Sequence, residues 1–135
     1  MKYFKWALFA IGLLVTMVAT PIIVTFMLKG FLCWKEPIAG PATAIAVVFY
    51  SYLLAPKYNV IFSVIGFSLG ALLAYAIPDM HWYPECHELA YQSTYVPLTF
   101  TYAAGLMALA YCIYLSKVKH NKSLNQIGAK NAPPG

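Results

Sequence analysis

Apolar positions in this chain fall into four long blocks, separated by short stretches where proline, charge and aromatic rings concentrate. The blocks cover residues 4–28, 38–55, 60–77 and 97–115. Apart from Lys5 at the edge of the first, none holds a charged side chain or a histidine. A hydrocarbon core about 30 Å thick is crossed by about 20 apolar residues coiled as a helix, and each block comes close to that length. The pattern predicts an all-α integral membrane bundle of four transmembrane helices, with the lipid bilayer as its solvent.

The stretches between blocks refine the picture. Pro56, Lys57, Tyr58 and Asn59 make a connection short enough to force the second and third helices antiparallel. In the third connection, Pro84 followed by Glu85 is a helix-start signal, with a negative charge at the positive end of the dipole. It predicts a short interfacial helix over 84–93. Inside the first block, Pro21 removes a backbone donor and predicts a kink over 17–21, with Thr16, Thr20 and Thr25 placed to meet freed carbonyls.

Lipid tails are as apolar as leucine, so helices associate in a membrane through close packing of small residues. Each block carries small residues at i, i+4 spacing: Gly12, Thr16 and Thr20; Gly40 and Ala44; Gly66, Gly70 and Ala74; Ala104, Ala108 and Cys112. The third is a G-x-x-x-G extended by one turn. Gly66, Gly70 and Ala74 are therefore the predicted helix-packing face, used within the bundle or between two copies of the chain.

Composition agrees: 61% hydrophobic, 10% charged, mean hydropathy +0.68. Four spans use most of the 135 residues and leave no room for a soluble catalytic domain. Residues 1–115 read as the membrane domain, and the polar, lysine-bearing 116–135 as a mostly disordered cytoplasmic tail. The first block far exceeds the 7–15 apolar residues of a signal peptide and reads as a retained helix.

All nine basic residues are lysine. Lys2, Lys5, Lys57 and the four lysines after the last block predict cytoplasmic termini. The acidic Glu36, Asp79, Glu85 and Glu88 fall in the first and third connections, which are then outside. A plasma membrane, and a bacterial inner membrane in particular, is the expected location.

Chemistry concentrates in the third connection. Trp82, Tyr83, Tyr91 and Tyr95 suit a headgroup belt, together with Trp34 of the first connection. Cys33 and Cys86 share the expected outer face and form a disulfide candidate if that face is oxidising. His81, Cys86 and His87 are a rival zinc or copper set, although the H-x4-C-H spacing matches no strong signature. Cys112 reads as a small packing residue.

Several classes are disfavoured. Small multidrug resistance transporters resemble the chain in size and span number, but place a glutamate in their first span, where this chain has Gly12 and threonines. Thiol oxidases need paired cysteines such as C-x-x-C, which do not occur. The small eicosanoid and glutathione membrane enzymes use arginines, and none is present. No phosphate loop, Ser-His-Asp set or nucleic-acid motif appears.

The expectation is a non-enzymatic membrane protein that binds, as an accessory subunit of a membrane complex or an immunity-type protein. Its expected contact residues are His81, Trp82, Tyr83, Glu85, His87, Glu88, Tyr91 and Tyr95. A homo-oligomeric transporter or channel for a neutral or lipidic substrate is the first alternative, lined by hydroxyls such as Thr20, Thr25, Thr43, Ser68 and Thr101. Metal handling by the His/Cys loop is the second.

Overall fold

The computed structural model describes residues 2–55, 58–77 and 81–130. Four helices follow one another: α1 (Lys2–Met27), α2 (Glu36–Leu54), α3 (Asn59–Ala76) and α4 (Val96–Lys130). Each is long and apolar enough to cross a membrane. Every helix end except the last lies within two residues of the end of an apolar block. Among the described residues there is no strand; one isolated antiparallel bridge pairs Trp82 with Ser93.

Local chemistry sets the ends. Past α1 the chain turns at Gly30, whose φ of +100° suits a residue without Cβ, and the N–H groups of Phe31 and Leu32 close on the Leu28 carbonyl. α2 opens with Glu36 and Pro37, a carboxylate at the positive end of the dipole and a proline where no N–H is needed. The hairpin between α2 and α3 is fastened by Asn59, whose side-chain amide donates to the Tyr52 carbonyl.

α2 is the hub. It packs against α1, α3 and α4, and α3 also packs against α4. The closest approaches pass through small residues. A Cβ at Gly66 would meet the Ser51 hydroxyl, and one at Gly105 would run into the Phe67 ring. Val47, Val48 and Ser51 of α2 lie buried against Ser63 and Gly66 of α3 and Thr101, Gly105, Ala108 and Cys112 of α4. Buried hydroxyls are satisfied by backbone: Ser51 donates to Val47 O at 2.8 Å, and Ser63 lies 2.9 Å from Asn59 O and 3.4 Å from Val48 O.

α1 leans chiefly on α2 and buries little beyond Phe9. Near its start, Trp6 lies tilted against Phe62 of α3 and Phe9 edge-on to it, with ring centroids 5.0 and 5.5 Å apart, and Phe9 stacks on Tyr50. Gly12 lets the Tyr50 hydroxyl approach the α1 backbone. Further along α1, Met17, Pro21 and Thr25 stand off from α3 across a cavity.

Three expectations change. α4 does not end near residue 115 but continues to Lys130. The segment 116–130 has no proline and only Gly128 against helix, so the coil persists without an apolar face; residues 131–135 lie outside the described ones. The short helix expected over 84–93 is absent, replaced by consecutive turns. On α4 the packing stripe is Thr101, Gly105, Ala108 and Cys112, one position away from the expected Ala104.

Candidate functional site

Two features outside the helix packing stand out: a pinned cap over one end of the bundle, and a cavity beneath it.

The cap consists of the first connection and residues 81–95. Cys33 and Cys86 lie at disulfide distance with Cα atoms 6.3 Å apart, inside the range that a bridge requires. They tie the two connections together. Within the third connection, the N–H groups of His87, Ala90 and Gln92 bond the carbonyls of Pro84, His87 and Leu89, three residues back in each case. Across it, Tyr83 N–H donates to Gln92 O at 3.0 Å, Tyr91 N–H to Tyr83 O at 3.3 Å and Thr94 N–H to His81 O at 2.8 Å. These rungs close the segment into a hairpin, which competes with the helix expected after Pro84.

Aromatic rings fill the space under the disulfide. Trp34 packs against Tyr83 and His87 at 4.9 and 5.3 Å, and Tyr83 stacks on His87 at 4.5 Å. The indole N–H of Trp34 is buried with no acceptor among the described residues. His81 caps α3: its Nε2 donates to Tyr75 O at 2.8 Å, and its ring sits edge-on to Tyr75 and Tyr95. His87 Nδ1 accepts from Leu89 N–H at 3.2 Å, which fixes that nitrogen as unprotonated.

This divides the eight expected contact residues. His81, Tyr83 and His87 are half-buried and build the cap, whereas Trp82, Glu85, Glu88, Tyr91 and Tyr95 are exposed. Trp82 is 53%, Tyr91 68% and Tyr95 63% accessible. Leu89, not singled out by the sequence pattern, joins this face. Tyr91 has left-handed backbone, φ 63°, a conformation costing a non-glycine residue about 1–2 kcal/mol. Its phenol donates to the Glu85 carboxylate, which holds its pKa above the ordinary tyrosine value.

The zinc or copper set is not assembled. Cys86 is paired with Cys33, His81 points Nε2 at a carbonyl, and His87 Nδ1 is engaged by Leu89. Among the described residues no three His, Cys, Asp or Glu side chains gather as ligands.

The cavity, about 320 Å³, lies between all four helices on the cap side of the bundle, with α4 contributing Thr101 and Tyr102. Its floor includes Met17, Val47 and Gly66, and its rim includes Thr25, Glu36 and Ile77. Gly70 faces it: a Cβ there would meet nothing within 4 Å. The predicted G-x-x-x-G face therefore splits, with Gly66 in a helix contact and Gly70 over open space. Polar lining groups are mostly self-satisfied. Thr43 donates to Ala39 O, Thr101 to Pro97 O and Tyr102 to Ala71 O.

Set against known protein families, curated proteins and solved structures, the chain matches none.

Proposed function

We propose that this chain is a non-enzymatic binding protein of the membrane, an accessory subunit that presents its cap to a larger membrane partner. The observation that carries this reading is a surface stiffened from below. The disulfide and the Trp34–Tyr83–His87 stack hold a loop whose upper side exposes Trp82, Leu89, Tyr91 and Tyr95 beside Glu85 and Glu88. Exposed aromatics on an ordered backbone suit recognition, because little conformational freedom is lost on contact. A left-handed backbone position taken by tyrosine rather than glycine keeps a ring on that surface at some cost in strain.

The lysine pattern supports cytoplasmic termini and an outward cap; a bacterial inner membrane is the location proposed with it. Cysteine-reactive labelling of single-cysteine variants in intact cells checks the orientation. Tagging near Glu88 but not near Ser123 is expected, and the reverse would place the cap on the wrong face.

Purification from native membranes in mild detergent tests the binding reading. A stoichiometric membrane partner is expected with the wild type and should be lost from Trp82→Ala/Tyr95→Ala. Recovery of the chain alone, with its cellular phenotype intact, removes the proposal. Transport of a neutral or lipidic substrate ranks second. Its support is the cavity, but Ser68 bonds its own helix at Val64 O and the Gly12–Tyr50 contact lies below the cavity floor.

A further inference from the structure

The cavity extends from Gly66 of α3 to Ile77 just past its end, about 16 Å at 1.5 Å per residue. That is half of a hydrocarbon core about 30 Å thick, the depth of one leaflet. It begins near mid-bilayer and ends at the cap-side boundary, where α2 starts.

Its volume spread over that depth gives a mean cross-section of about 20 Å², against about 80 Å² or more for a helix 10–12 Å across. A transmembrane helix does not fit; a single hydrocarbon chain does. The walls are mostly Gly, Ala, Val, Leu and Phe side chains, with the deeper hydroxyls already donating to backbone. Those hydroxyls offer lone pairs but no free proton. At the rim, Glu36 is the lining group that carries charge. One carboxylate oxygen accepts from Lys35 N–H at 3.0 Å, and the side chain takes no other partner among the described residues.

From these features we propose that the cavity holds one acyl chain of a phospholipid from the cap-side leaflet, with a primary ammonium in its headgroup meeting Glu36. Hydrocarbon fills the apolar shaft, and the cation answers the carboxylate where the shaft reaches the headgroup layer. This does not depend on the cap having a protein partner, so either proposal can fail alone.

Native mass spectrometry of the full chain, released from bilayers of equal parts ethanolamine and glycerol phospholipid with matched tails, tests it. One retained lipid per chain is expected, enriched about tenfold in the ethanolamine form, the scale of one charge-assisted hydrogen bond. Gly70→Leu starts a side chain in open space, a Cβ there meeting nothing within 4 Å, and should lower retention about tenfold. Thr43→Leu fills the opposite wall and should act likewise. Glu36→Gln should keep the lipid but lose the headgroup preference. Retention in Gly70→Leu and Thr43→Leu equal to wild type, with unchanged helical circular dichroism, overturns the lipid site. Equal retention of both headgroups by the wild type overturns the role of Glu36.

Discussion

Gly66 and Gly70 share one motif and one helix, yet only Gly66 is pressed against a neighbour, the Ser51 hydroxyl. Gly66→Ala should therefore cost about 1–3 kcal/mol of stability, as overpacking does. Gly70→Ala should be neutral or slightly stabilising, since alanine is the better helix former by about 1 kcal/mol. Unfolding by titrated denaturing detergent measures both, and equal losses would contradict the observed packing. A second contrast at this scale concerns Tyr91. The neutral phenol donates to Glu85, and ionisation would set two anions side by side. A group whose pKa is raised by folding stabilises below its ordinary value and stops doing so as pH climbs past the raised one. The contact is thus complete at neutral pH and fails only in strong alkali. In ultraviolet titration the Tyr91 component, identified by its loss in Tyr91→Phe, should move to lower pH in Glu85→Gln.

Among the elements, the spans were legible because length and hydropathy alone determine what crosses a bilayer. Seven helix ends were legible for the same reason. The eighth was not: from residue 116 onward α4 has no apolar face to reveal a helical period, so polar composition suggested coil. Removing residues 117–135 should reduce helical circular dichroism while leaving resistance to denaturing detergent nearly unchanged, because that segment buries little. The third connection misled in the opposite direction. Pro84 and Glu85 are a sound local start signal, but the bridge at Cys86 and the rungs from 81–83 to 91–94 impose a hairpin. Local preference yields there to cross-links made with distant residues. The Cys33–Cys86 pairing itself was legible from topology, since both cysteines fall on connections at one end of the bundle. Gly105 was passed over because Ala104 begins an equally good i, i+4 series one residue earlier, and only the position of Phe67 and Ala44 separates the two.

For the whole molecule, the decisive feature is the lean of α1. Held by Trp6, Phe9 and Phe62 at one end and separated from α3 at the other, it opens the cavity that no pattern along the chain announces. Such a void is a property of helix placement, and composition is silent about placement. The link between Cys33 and Cys86 has a different consequence. Those cysteines are 53 positions apart, and α2 and α3 both lie between them. The covalent ring can close only after both have been synthesised and inserted, so oxidation records the insertion of α2 and α3, whatever the state of α4. Once shut, it makes the two spans inseparable by a single cut. A protease site engineered between α2 and α3 should, after cleavage, give one band on a non-reducing gel and two fragments with dithiothreitol.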